Sequence, residues 1–273
     1  PMVRGSGIPQ TEGAARGLLE LKWYKSLPAM AASCLVCILS GLTAGAEGPS
    51  MFIGATCGEG TSKLLRCTDM EKRYQITGGA CAGLAVAFNA PLTGITFAFE
   101  EAHRRFTPAI FICAFSSVLS AIITRNALYG WMNMPVEGTL SSFNLIQIPL
   151  KSYGFVALAA VVSGIFAIVK ETLCENPNEK RSYDDYLKLL FPFIFAGVFG
   201  LITASVMGGG HSFIESLGTH GGTTEQSVAT IFSSPVVVTL ILVLVMRVIA
   251  TALNLGAGVP CGIFIPMLAI GAC

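Results

Sequence analysis

Glu47 is a single acid set among uncharged residues. No Asp, Glu, Lys or Arg occurs from Ser26 to Ala46, nor from Gly48 to Gly58. Its setting is Gly45-Ala46-Glu47-Gly48-Pro49. A carboxylate at the seam of two lipid-compatible stretches is costly, so it marks a functional position. The flanking glycines and the proline stop one helix and start another. Two further breaks follow the same pattern, Gly5-Ser6-Gly7-Ile8-Pro9 and Gly262-Ile263-Phe264-Ile265-Pro266. A helix start carries N–H groups without intrahelical partners and a partial positive charge. Several starts aimed at one point would hold an anion without a full cation, and weakly enough to release it. No Lys or Arg lies within the three motifs, although Arg4 adjoins the first. A phosphate loop is excluded, because no Gly-Lys-Ser/Thr follows the glycines.

The elements that must position these motifs lie in a bilayer. Of the 273 residues, 53% are hydrophobic and 12% charged, half the charge of a soluble domain. Mean hydropathy is +0.68. A net charge of +1 gives no reason to expect a nucleic-acid partner. Uncharged runs cover 26–46, 48–58, 74–99, 106–124, 152–169, 189–214, 226–246 and 248–273. The run 74–99 is interrupted at Asn89-Ala90-Pro91, and 126–150 reads as a mixed connection. Together they predict about eight to ten helical segments, several too short to cross alone. Thirty glycines and thirteen prolines point to interrupted rather than straight helices. Basic residues cluster in loops 63–73, 103–105 and 180–188, which the positive-inside rule assigns to the cytoplasm. Gly45-Ala-Glu-Gly-Pro-Ser-Met-Phe-Ile also reads against Gly256-Ala-Gly-Val-Pro-Cys-Gly-Ile-Phe, a weak internal repeat of broken segments. The chain starts with Pro1 and ends at Cys273 inside an apolar run, which reads as a fragment of a longer protein.

Other residues carry weaker chemistry. His103, His211 and His220 have no metal-ligand spacing. Cys34 and Cys37 have redox-motif spacing but lie in an apolar run, so they read as small buried hydrophobes. An intramembrane serine hydrolase using Ser6 or Ser212 lacks Gly-x-Ser-x-Gly and an assigned base. Trp23 and Trp131 suit interfacial anchoring, and Arg247 suits a neutralising partner or a snorkelling border residue. Glu47 also reads as a structural acid at a helix start. Glu101 also reads as part of a solvated helix end with Glu100, His103, Arg104 and Arg105, and Ser6 as a helix cap.

Taken in order, Gly-Ser-Gly-Ile-Pro, Gly-x-Glu-Gly-Pro and Gly-x-Phe-x-Pro resemble the CLC family of chloride channels and chloride/proton antiporters. The resemblance includes Phe88-Asn-Ala-Pro-Leu-Thr-Gly-Ile95, Glu100-Glu101, Gly208-Gly-Gly210 and Arg247-Val-Ile, so it spans nearly the whole chain. It implies an all-α polytopic membrane fold of two inverted repeats with tilted, re-entrant and broken helices. Residues 1–140 would form the first repeat and 141–273 the second, each incomplete at its outer end. The family's pore tyrosine would lie beyond Cys273.

By the same resemblance, Ser6 would donate to a central chloride, with the N–H groups of Ile263 and Phe264. Backbone around Glu47 and Gly48, with Phe264 and Ile265, would form an outer anion site. Gly5, Gly7, Pro9, Gly45, Pro49, Gly262 and Pro266 would shape these starts. Glu47 would be the gate, occupying the anion's place when ionised and swinging away when protonated. Glu101 would be the inner proton relay, favouring exchange over a passive channel. Chloride and protons would be cargo, with no cofactor and no metal. A homodimer in the cell membrane is implied, with the helix after Pro91 and the span 106–124 in its interface.

Overall fold

The computed structural model describes residues 5–133, 192–199, 206, 208–210, 214 and 236–272. The chain forms two compact units. One comprises Pro1–Val36, Ala46–Thr139 and Pro260–Gly262; the other comprises Cys37–Gly45, Leu140–Val259 and Ile263–Cys273.

The first unit holds helices α1 (Ile8–Ala15), α3 (Glu47–Leu64), α4 (Asp69–Phe88), α5 (Pro91–Phe97) and α6 (Pro108–Trp131). It also holds most of α2 (Trp23–Leu39) and a π-helical turn at Ala98–Ala102. Its centre is the α3–α4 pair. A methyl group on Gly54 would overlap the Gly79 carbonyl, and one on Gly83 would overlap the Ser50 carbonyl. The two backbones therefore touch, as small-residue stripes allow in lipid, where helix contact rests on close packing. Met51, Phe52, Ala55, Ile76 and Ala80 complete that buried core.

Local chemistry sets each boundary. Thr68 and Glu71 form a reciprocal capping box that starts α4. Asn89 takes a left-handed φ of 51° and ends α4, and Pro91 opens α5. The predicted interruption of run 74–99 falls there. Helix α2 begins at Trp23 and stops at Leu39, so the last residues of the 26–46 run are not helical.

Helix α6 departs from its expected limit. It continues past Arg125 to Trp131, through residues read as connection. Arg125 donates through Nη1 to the Asn89 side chain and stands 5.0 Å from the Tyr129 ring, so its charge does not end the helix. Among the described residues, α6 is the one helix long and apolar enough to cross a membrane by length and composition.

In the second unit, residues 192–199 are helical, and α7 (Val236–Gly256) and α8 (Phe264–Ala272) follow. The non-helical segment after α2 is tied down within this unit. Thr43 donates through Oγ1 to the Val206 carbonyl at 3.0 Å, and Asn254 donates to the Thr43 carbonyl at 2.8 Å. Gly208 N–H donates to the Gly41 carbonyl at 3.1 Å. Arg247 is fully buried, which removes the snorkelling alternative. Gly210, at φ 99°, leaves room for its guanidinium, since a methyl there would strike it.

The internal repeat needs a different register. Helix α3 begins two residues after Gly45, whereas α7 runs through Gly256 and α8 begins two residues after Gly262. Gly45 therefore corresponds locally to Gly262, and Pro260 precedes its helix instead of opening it. The sequence alignment of Gly45 with Gly256 followed the recurrence of Gly and Pro, which does not mark where each helix starts.

Candidate functional site

All three Gly/Pro breaks open helices. Helix α1 is capped by Gly7 at φ 81°, with Pro9 in its first turn. That left-handed conformation suits glycine, and a side chain there would also strike Phe52. The Thr11 hydroxyl donates to the Gly7 carbonyl at 2.9 Å and braces the turn. Ser6 Oγ accepts from Ile8 N–H at 3.4 Å. A hydroxyl both accepts and donates, so this cap leaves the Ser6 proton available to an anion.

Glu47 occupies the first turn of α3 and is 3% exposed. Ser50 N–H closes that turn on the Ala46 carbonyl at 2.8 Å. Gly48 lies directly against Ser6: a methyl on Gly48 would overlap the Ser6 carbonyl oxygen. Within the first unit, the starts of α1 and α3 are thus brought together at Gly48 and Ser6. Both ends present N–H groups and positive dipole to that place.

In the second unit, Ile263 caps the start of α8, and Met267 N–H bonds back to its carbonyl at 3.0 Å. Phe264 is exposed and Ile265 buried. Gly262 precedes this start and Pro266 falls in its first turn. Ser212, His211 and His220 lie outside the described residues.

Glu101 sits on the π-helical turn between α5 and α6, a geometry frequent at functional positions. His103 N–H closes the turn on the Ala98 carbonyl at 3.1 Å. The Glu101 side chain is half exposed and pairs with Arg104 at 3.9 Å. Its carboxyl is also hydrogen-bonded to that of Glu12 on α1. Arg16 ties α1 to the same turn, donating to the carbonyls of Glu101 at 3.0 Å and Ala102 at 3.3 Å. Glu12 and Arg16 escaped the sequence reading. Their only signal was an acid and a base four residues apart on one helix.

Glu59 was also missed. It is fully buried near the end of α3, 3.0 Å from Lys63 and 3.4 Å from Lys72. It joins the ends of α3 and α4 through charge. Among the described residues, no group of His, Cys, Asp and Glu could hold a metal ion.

Paired helix starts around a hydroxyl and a buried acid, in a chain of interrupted apolar helices, define an all-helical polytopic membrane protein. The chain belongs to the voltage gated chloride channel family, whose profile matches residues 1–273. It is 31% identical over 280 residues to the H(+)/Cl(-) exchange transporter ClcA of Vibrio cholerae serotype O1, matching 99% of this chain and 56% of that protein. The transporter of the same name from Yersinia pestis bv. Antiqua is 29% identical over 279 residues, covering 99% of this chain and 55% of that protein. The crystal structure of a slow cyanobacterial Cl-/H+ antiporter superposes with a TM-score of 0.73 at 28% identity, over 99% of this chain and 61% of that one. A CLC-type fluoride/proton antiporter shares the fold, with a TM-score of 0.70 at 20% identity over 97% of this chain and 63% of that one. The chain therefore spans little more than half the length of the curated relatives it matches.

Proposed function

We propose that the complete protein exchanges chloride for protons across a membrane. The carrying observation is Glu47: a buried acid in the first turn of α3, whose next residue, Gly48, packs against Ser6 just before α1. Helix starts favour negative charge, so the ionised Glu47 carboxylate and a chloride ion compete for the same dipoles. Protonation removes the competitor. Proton loading and anion entry then become linked, each biasing the other by the same factor.

In this reading, Ser6 donates its hydroxyl proton to the central chloride, and N–H groups of Ile263, Phe264 and Ile265 complete the anion path. Gly48 allows the close approach of α3 to Ser6. Glu101 passes protons on the inner side, supported by its shared hydrogen bond with Glu12 and its place on a π turn. No cofactor is needed, because chloride and protons are the cargo. Residues 1–140 and 141–273 act as two inverted repeats. The protein works as a homodimer in the cell membrane, with α5 and α6 at its interface. Leu92, Ile112, Leu119 and Ile123 are exposed apolar residues on those helices, as such a contact or lipid requires.

The test uses the full-length protein in sealed liposomes. An imposed chloride gradient, with no proton gradient, should drive protons uphill in the opposite direction. Chloride flux with no proton movement at any gradient would make the protein a passive channel and overturn exchange.

A further inference from the structure

A cavity of about 370 Å³ opens at the foot of α1 and α4, beside the loop that precedes α6. Four arginines line it, Arg16, Arg73, Arg104 and Arg105, together with Tyr74 and His103. All belong to the first unit. This concentration of positive charge is costly unless something negative offsets it. Glu12 lies 3.8 Å from Arg16, and Glu101 lies 3.9 Å from Arg104. Among the described residues, neither Arg73 nor Arg105 has a carboxylate within ion-pair distance. The four arginines thus exceed the local acids by two.

The seat of Arg73 is specifically shaped. Its guanidinium rests against Gly17, whose left-handed φ of 77° favours glycine and leaves that space open. His103 adds no further charge. The Thr77 hydroxyl donates its single proton to the Arg73 carbonyl at 2.9 Å. His103 Nε2, 2.9 Å from the Thr77 hydroxyl oxygen, must therefore carry the hydrogen and donate it to that oxygen. Burial, then the positive charges of Arg105, Arg16 and Arg73, hold the imidazole below its ordinary pKa and keep it neutral. The Tyr74 ring stands edge-on to it at 6.2 Å and forms a less polar wall.

We infer that this cavity binds a phosphate-bearing anion, either a phospholipid headgroup or a soluble phosphate compound. Guanidinium forks match phosphoryl oxygens two at a time, which a halide cannot exploit. The volume falls in the range of organic ligand pockets and far exceeds a chloride ion. The cavity also lies beside the basic loop that precedes the membrane-length helix α6, where anionic headgroups are concentrated and basic pockets collect them. This inference does not depend on the exchange reading, because its residues lie outside the proposed anion path.

The experiment titrates the purified full-length protein, in a neutral detergent, with two probes. One is inorganic pyrophosphate; the other is short-chain phosphatidylglycerol, compared with phosphatidylcholine. Binding is followed by calorimetry. At least one anionic probe should bind, and Arg73→Gln with Arg105→Gln should weaken it about tenfold or more, since each lost charged hydrogen bond is worth that much. Lys25→Gln, on an exposed residue elsewhere, should bind as the native protein does. Saturable pyrophosphate binding identifies a soluble ligand; phosphatidylglycerol binding alone identifies a headgroup. If the glutamine variant does not fold, Arg73→Lys with Arg105→Lys keeps the charge and removes the forks, and it should also bind more weakly. Equal affinity in native and variant protein, or no binding of either probe, overturns the proposal.

Discussion

The site is built from single residues whose settings differ sharply. Glu47 is buried against a helix start, while Glu101 is half exposed and in contact with a second carboxyl and two arginines. Glu101→Gln in the complete protein should stop proton movement while chloride still passes. Dual recording of pH and chloride in vesicles checks this, and intact coupling would remove Glu101 from the path. Glu71 gives a second prediction, one of pH dependence. The N–H and hydroxyl of Thr68 hold its carboxyl below the ordinary carboxylate range. A lowered folded pKa means the capping box stabilises α4 above the unfolded value and fades as pH falls through the folded one. Hydrogen exchange of the amides at 69–72 should quicken over that acid interval, and protection that ignores pH would contradict it. Residue identity and setting marked Glu47, and the family resemblance added Ser6 and Glu101 as candidates. Neither showed Glu12 or Arg16, because their partner, Glu101, is more than eighty residues away in the chain.

Elements were legible wherever chain-breaking residues stood. Gly7, Asn89 and Pro91 mark boundaries because backbone geometry there admits few other residues. Boundaries inferred from charge were less secure. Arg125 looked like the end of a span, yet α6 carries it through because Asn89 and Tyr129 meet its charge. The repeat register slipped for a related reason, since Gly and Pro recur too often to fix one alignment. The α3–α4 contact sets where Glu47 lies, and glycines make that contact possible. Gly54→Val should destabilise the protein by roughly 3 kcal/mol or more, because there is no space beside the Gly79 carbonyl. Gly130→Ala meets nothing within 4 Å and should leave the melting temperature unchanged or raise it slightly. Thermal unfolding in detergent compares the two, and equal stability would deny the close helix approach.

At the scale of the molecule, low charge and interrupted apolar runs announced a polytopic helical membrane protein, and family membership agrees. The order of the three motifs carried more than any one of them, because each alone is a common Gly/Pro break. What composition could not carry was the placement of helix starts against one another, which depends on packing such as Gly48 on Ser6. Exchange requires one movable acid to answer both to chloride and to protons. The most direct measurement records chloride and pH together across vesicles holding full-length Glu47→Gln protein. Chloride should continue to flow down its gradient while proton transport disappears. Undiminished uphill proton transport in that variant would contradict the account.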